Sequence, residues 1–512
     1  MLAKTFGAAV FGVNAKIIHV EVTVGQGLHF HLSGLPDSAV KESAHRVEAA
    51  IKYSGYKMPR QKVVVNLAPA DIKKEGSAYD LPIGLSILKA HGQIKAENLQ
   101  QYVIMGELSL DGKLRPIKGV LPIAIEARKQ QFKGFVLPKE NAREAAIVSE
   151  LDIIPVETLD EAINFFEGKS SIVPLEMDTR DIFMDELNNY DTDFRDVQGQ
   201  ENIKRALEIS AAGGHNVVMI GPPGAGKTML AKRLPTILPP LSLHEALETT
   251  KIHSVAGKLG KDAALISTRP YRAPHHTISD VALVGGGGNP QPGEISLSHN
   301  GILFLDELPE YKRTVLEVMR QPMEERKVTI SRAKVSLDFP ANFMLIASMN
   351  PCPCGYYNHP DKECVCPPGM VHKYLNKVSG PLLDRIDLHV EVTPISFDEM
   401  TANRKTESSE EIRNRVVQAR AIQTERFQSK ENVHCNAMMS SQLVKQVCSI
   451  NQAGNVLLKT AMDKLGLSAR AYDRILKVAR TISDLAGSEE IKIEHLAEAI
   501  QYRSLDRENW AG

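Results

Sequence analysis

The chain has 512 residues, 43% of them hydrophobic and 24% charged, enough for several independent cores. No run approaches the roughly 18 uninterrupted apolar residues of a spanning helix, which argues against a membrane class. The formal net charge of -1 excludes a globally basic nucleic-acid coat, so any nucleic-acid contact must come from local positive surface.

Six cysteines, four of them in one short segment, point to metal ligands or free thiols in a reducing cytoplasm rather than a disulfide framework. The stretch Phe6 to Gly12, followed by Ile17 to Val24, lacks a small-residue cleavage site and reads as the start of a strand, not a signal peptide. From about 15 to 145, β-rich runs such as His19 to Val24 and Lys62 to Leu67 alternate with helical patterns such as Ser38 to Ser54 and Leu81 to Ala90, giving an α/β region. Periodicity fades after Glu167. Residues Glu176 to Asp196 carry eight acidic against two basic side chains, the pattern of a solvated linker.

The most specific signal follows. Apolar Asn216 to Ile220 leads into Gly221-Pro222-Pro223-Gly224-Ala225-Gly226-Lys227-Thr228 and then the helical pattern Met229 to Leu234. Strand, glycine loop and helix in this order let backbone N–H groups approach phosphate oxygens without a Cβ clash, with the helix N-terminus adding its dipole. Lys227 then reaches the β/γ-phosphates of ATP, and Thr228 offers its hydroxyl to Mg2+. The strand Gly301 to Leu305 ends in Asp306 and Glu307, the first placed to hold Mg2+ through water and the second to polarise an attacking water. A third apolar run, Phe343 to Met349, ends in Asn350, which can hydrogen-bond a γ-phosphate or the lytic water. Taken without its frame, Asn before Pro is a turn initiator.

Two further segments carry chemistry. Lys327 to Ser331 and Lys334 to Phe339 alternate as two strands around Arg332-Ala333; Arg332 and Lys334 are candidate phosphate contacts, or else charges that protect an edge strand. Cys352-Pro353-Cys354 and Cys364-Val365-Cys366 offer four thiolates suited to tetrahedral Zn2+, with His359 or His372 as substitute ligands and free or redox-active thiols as the alternative. Cys435 and Cys448 read as packing residues.

Three blocks in order, Lys74 to Ala78, Gly106 to Ile117 and Val136 to Asn141, resemble the proteolytic domain of Lon-type proteases. That family's Ser and Lys places hold Ala78 and Leu121 here. A one-residue slip puts Ser77 at the nucleophile, but Lys118 then falls too early for the base. The resemblance therefore implies a proteolytically dead domain.

Arg269 to Thr277, Gly285 to Gly288, Pro292 to Leu297 and Met349 to Gly355, together with the motifs above, resemble the ComM/YifB family of magnesium-chelatase-like AAA+ ATPases over nearly the whole chain. Within that resemblance Val197-Gln198-Gly199-Gln200 is the stretch that packs on adenine. Arg385, in Pro381 to Leu388, is an arginine finger reaching a neighbouring subunit, against the plainer reading of a surface pair with Asp384 or Asp387. Arg470 is the second sensor of a lid, against an ordinary solvated helix-start arginine, and the Arg332 hairpin points into a ring's pore. The implied architecture is a Lon-protease-like α/β domain (1–168), an acidic linker (169–192), an AAA+ P-loop core (193–398) and a helical lid (399–512). The implied function is a cytoplasmic, homohexameric, ATP-driven DNA motor with branch-migration activity on transforming DNA. A magnesium-chelatase-type metal-insertion ATPase and, less favoured, a Lon-like peptidase are the alternatives.

Overall fold

A computed structural model of the chain describes residues 2–180, 183, 190–260, 263–287, 290–332, 335–357, 359, 361–394, 406–430 and 433–503. Strands β1 (Leu2–Phe11) and β2 (Asn14–Gly25) form a long antiparallel hairpin, in register from Leu2 opposite Thr23 to Phe11 opposite Asn14. With β3 (Phe30–Ser33), β4 (Lys62–Ala68) and β5 (Tyr102–Ile104) they begin a sheet from which the small β6 (Glu107–Leu108) and β7 (Leu114–Arg115) pair separate. Strands β8 (Gly134–Pro138) and β9 (Asp152–Val156) complete it in the order β3-β4-β2-β1-β5-β8-β9. The helix Asp80–Ala90 is apolar nearly all round and is correspondingly buried nearly all round, packing on β1 and β2.

The acidic segment departs from the solvated linker that its charge suggests. Ile172, Leu175 and Met177 pack on the first core, the Leu175 N–H donates to the Ile153 carbonyl at 2.9 Å, and Phe183 is buried in the same core. Apolar side chains spaced among the charges strap this stretch to β9, an arrangement that a net-charge count does not reveal. Residues 181–182 and 184–189 lie outside the described residues.

The second sheet is wholly parallel. β10 (Val217–Ile220) precedes β11 (Tyr271–Arg272), then the β12 (Gly285–Gly286) and β13 (Gln291–Pro292) pair, β14 (Ile302–Leu305), the β15 (Lys327–Arg332) and β16 (Val335–Pro340) hairpin, β17 (Met344–Met349) and β18 (Leu388–Glu391). The order β11-β14-β17-β10-β18 places β10 in the interior, and β10, β14 and β17 are buried on both faces, as continuous apolar runs require. The C-terminal region is helical: Ser409–Arg426, Ser441–Val447, Gln452–Leu465, Ala469–Leu485 and Ile493–Gln501. Ala469–Leu485 starts at a Ser468 cap and buries Ile475, Leu476, Val478, Ala479 and Ile482 in the core shared with the helix Glu201–Gly213.

The two sheets are joined by packing. The helix Leu243–Ala256 lies on Val120–Lys129, with the Gly119 N–H donating to the Ser254 carbonyl at 3.1 Å. The β1–β2 turn meets the β15–β16 hairpin, since a Cβ at Gly12 would stand 3.7 Å from Leu337 Cδ2 and Val13 packs on the core of that hairpin. Among the described residues no helix is long and apolar enough to cross a membrane.

Candidate active site

Four strands deliver polar groups to the C-terminal edge of the parallel sheet, where open α/β sheets bind ligands. After β10, Gly224 and Gly226 adopt φ of +79° and +84°, and a Cβ at Gly221 would lie 2.2 Å from the Val392 carbonyl oxygen, so the loop needs glycine to hold this path. Lys227, at the start of the helix Lys227–Arg233, is 8% exposed; its Nζ donates to the carbonyls of Gly221 (2.7 Å) and Pro222 (2.9 Å) and to Asn350 Oδ1 (3.1 Å). Burial lowers its pKa, and Asp306 and Glu307 oppose that shift.

Asp306 is the hub of the carboxylate side. Thr228 Oγ1 donates to its Oδ2 at 2.7 Å, Ser348 Oγ donates to its Oδ1, and the Glu307 N–H donates to the same oxygen at 3.1 Å. Glu307 sits in the left-handed region at φ +54°, a conformation costing about 1–3 kcal/mol outside glycine and concentrated at functional sites. Its carboxylate is half exposed and lies 3.4 Å from His276 Nδ1, whose ring is 4.1 Å from that of His275. The Tyr311 hydroxyl donates to the Pro274 carbonyl at 2.6 Å and fixes the histidine loop. Val197 is buried, and Gln200, at φ +57°, donates through Nε2 to the Ala225 carbonyl at 2.8 Å, tying the Val197-Gln200 stretch to the phosphate loop.

Arg385 belongs to the opposite edge. The Arg385 carbonyl accepts from Asn216 Nδ2 at 3.3 Å, and Asn216 is the residue before β10, about 16 Å of extended chain from Gly221. Arg385 is 6% exposed, donates to the Pro381 carbonyl and pairs with Glu324 at 2.6 Å, so Glu324 takes the place foreseen for Asp384 or Asp387. Asp387 instead pairs with Arg474 and accepts from the Asn216 N–H at 2.9 Å. Arg470 is exposed in the first turn of Ala469–Leu485, one turn before Arg474. Neither arginine shares a hydrogen bond with the Lys227 cluster among the described residues.

The four cysteines converge. Cys352 Sγ lies 3.3 Å from Cys354 Sγ and 3.7 Å from Cys364 Sγ, Cys354 and Cys364 are 3.6 Å apart, and all four sulfurs lie within 4.8 Å of one another. These separations are far beyond the roughly 2.05 Å of a disulfide. They suit a metal, because tetrahedral thiolates at about 2.3 Å from an ion stand about 3.8 Å apart. His359 is occupied otherwise, its Nδ1 accepting from the Asp361 and Lys362 N–H groups, and His372 lies in the helix Pro368–Leu375. Cys435 and Cys448 are buried, the packing places expected of them.

The hairpin forms as expected, with Lys327 opposite Pro340 and Arg332 opposite Val335, and Val328, Ile330, Leu337 and Phe339 buried at its base. Lys334 and the Arg332 side chain lie outside the described residues. In the first domain the Ser77 hydroxyl donates to Glu107, Leu121 is fully buried, and the Lys118 stem lies over Gly257. No hydrogen bond joins Ser77 to Lys118 among the described residues.

His276, Ser348 and Glu324 are the residues whose chemistry the sequence did not disclose. The polar Ser348 inside an otherwise apolar run was one signal, and the block Arg269 to Thr277 contained His276, whose strand is only two residues long, too short for its end to be located by pattern.

Family profiles match in chain order: subunit ChlI of Mg-chelatase over residues 20–141, magnesium chelatase, subunit ChlI, over 193–400, and the C-terminal part of that subunit over 406–503. Competence protein ComM of Haemophilus influenzae is 43% identical over 99% of this chain and 98% of its own length. Protein YifB of Salmonella typhimurium is also 43% identical, with the same two coverages. Lon protease 2 of Bacillus subtilis is 31% identical over 28% of this chain and 27% of its own length.

Proposed function

We propose that this chain, which belongs to the ComM/YifB family of magnesium-chelatase-like AAA+ ATPases, is an ATP-driven ring motor that moves DNA, in the manner of a branch-migration helicase. The observation that carries the motor reading is the split of its catalytic groups between two edges of one sheet, with Lys227, Asp306, Glu307 and Asn350 on one and Arg385 on the other. A closed head-to-tail ring, a hexamer in this reading, brings one copy's Arg385 to the next copy's phosphate loop.

The residues fit ATP and Mg2+: a loop with no room for a Cβ at Gly221 and with positive φ at Gly224 and Gly226, a buried lysine aimed at loop carbonyls, and a threonine hydroxyl already on a carboxylate. Bound Mg2+ supplies charge neutralisation at the phosphates. Lys227 and the loop N–H groups bind the phosphates, with Thr228 and Asp306 as the metal side. Val197 and Gln200 support the base end, Asn350 orients the γ-phosphate end, and Glu307 takes the proton of the attacking water while His276 holds its carboxylate. Arg385 must leave Glu324 to serve a neighbour, with Arg470 joining it as the second sensor. Zn2+ is the ion we assign to Cys352, Cys354, Cys364 and Cys366.

DNA is the substrate of the pore hairpin in this reading, gripped at phosphates by Arg332 and Lys334, and the kinship with a competence protein supports it. Single-stranded DNA binding measured against salt tests this. Arg332→Ala/Lys334→Ala should shallow the log–log slope by about 1.4, two contacts at about 0.7 each, and stop migration of a synthetic four-way junction. A wild-type protein whose ATPase ignores every DNA form would replace this reading with the metal-insertion ATPase.

A further inference from the structure

The cysteine cluster is not a remote appendage, because its loop touches the phosphate site at two points. Cys352 follows Asn350 by two residues, and Asn350 Oδ1 accepts from Lys227 Nζ at 3.1 Å. On the other side Gly355 lies flat on the phosphate loop: at its φ of +85°, a Cβ would meet Pro223 Cδ at 2.4 Å. Between the end of β17 at Met349 and the helix Pro368–Leu375, the described residues include no strand or helix. Apart from Cys352, 0% exposed, the cysteines are only partly buried, and Val365 is 82% exposed, so apolar burial does little to fix the loop.

We propose that a Zn2+ held by Cys352, Cys354, Cys364 and Cys366 is a clamp on the nucleotide site, setting the position of Asn350 and Pro223 and thereby the affinity for nucleotide. The inference rests on the assignment of Lys227 and its loop as the ATP site. Binding is balanced as one Zn2+ and four thiols giving a tetrathiolate complex and four protons, with no change of oxidation state. Without the ion, the ordering of the loop is left to backbone turns such as Gly355 N–H to the Cys352 carbonyl at 3.0 Å. Asn350 and Pro223 then lose a fixed neighbour. Linkage makes the effect reciprocal: if Zn2+ tightens nucleotide, nucleotide must tighten Zn2+ by the same factor.

The test uses the full-length protein with two independent readouts, zinc content by elemental analysis and affinity for a fluorescent ATP analogue. Protein as purified should carry about one equivalent of zinc, and cobalt substitution should give the thiolate-to-metal absorption of a tetrahedral site. Chelation should weaken the analogue by about 5- to 150-fold, the usual span of coupling between two sites, with recovery on adding Zn2+. Saturating analogue should strengthen resistance to chelation by the same factor. Gly355→Ala, which leaves all four sulfurs in place, should weaken the analogue while retaining zinc. Less than about a tenth of an equivalent after incubation with Zn2+ overturns the site. Zinc-free protein that binds the analogue as tightly as zinc-loaded protein overturns the clamp and leaves the metal site standing. Failure of every form, zinc-loaded included, to bind the analogue overturns the ATP-site assignment instead.

Discussion

The two edges of the parallel sheet are built on opposite plans. At the C-terminal edge, Lys227, Thr228, Asp306, Glu307 and Asn350 are half-exposed or linked by hydrogen bonds that a phosphate or a cation can replace. At the N-terminal edge, Asp387 is 2% exposed and is satisfied by Arg474 and the Asn216 N–H, with His215 Nδ1 3.7 Å away, while Arg385 is turned onto Glu324. One edge is arranged for exchange of partners, the other for permanence. The difference teaches that the second edge holds its charged groups on partners within the fold, whereas the first leaves its groups open to a ligand.

The sharpest way to break this contrast is Arg385→Ala. In the proposed ring the lost group serves the neighbour's phosphates, so turnover should fall by about 10³- to 10⁵-fold with nucleotide binding retained. Mixing with Lys227→Ala protein should restore part of the rate; verified mixed rings with no recovery would place the arginine's role within its own subunit. Next comes Glu307→Gln, which should bind ATP and lose about 10²- to 10⁴-fold in steady-state hydrolysis. A rate near wild type would remove Glu307 as the base.

Asp387→Asn probes the permanent edge. Burial disfavours its ionised form, but Arg474, His215 and the Asn216 N–H together hold the carboxyl well below the usual carboxylate range. A depressed carboxylate adds stability above its unfolded pKa of about 3.9 and loses it as pH falls from there toward the folded value. The substitution should therefore cost about 3–5 kcal/mol near pH 7, by leaving Arg474 without its counter-charge, and flatten the loss of stability below about pH 4. Urea unfolding at both pH values checks it. The smallest effect is expected from His276→Ala: freeing the Glu307 carboxylate should lower kcat by about tenfold, or 1.4 kcal/mol, without changing ATP affinity. A change confined to affinity would show that His276 serves the nucleotide and not the glutamate.

Much of the first edge was legible because each of its groups stands at the end of an apolar run, and burial of the run fixes where the next polar side chain must emerge. Asp306, Asn350 and Lys227 could be named in this way, as could the helical C-terminal region and the paired strands around Arg332. The second edge was not legible. Asp387 and Arg474 are 87 residues apart, Arg385 and Glu324 are 61 apart, and no local pattern couples such pairs. The same limit explains the acidic strap: its charges are visible in sequence, whereas the docking of Leu175 on Ile153 depends on a strand edge supplied from elsewhere. His276 was visible only as part of a family block, since its strand is too short to announce where it ends.

The β1–β2 ladder is ten residue pairs long in unbroken register, about 33 Å of cross-braced backbone, and its tip at Gly12 and Val13 rests on the base of the Arg332 hairpin. A beam of this kind resists compression along its length far more than it resists bending. The hairpin thus has a backstop on one side: displacement toward the first sheet loads two of that sheet's central strands. The first sheet and the base of the hairpin are thus one braced unit, a contact that depends on no peptidase chemistry in the first domain.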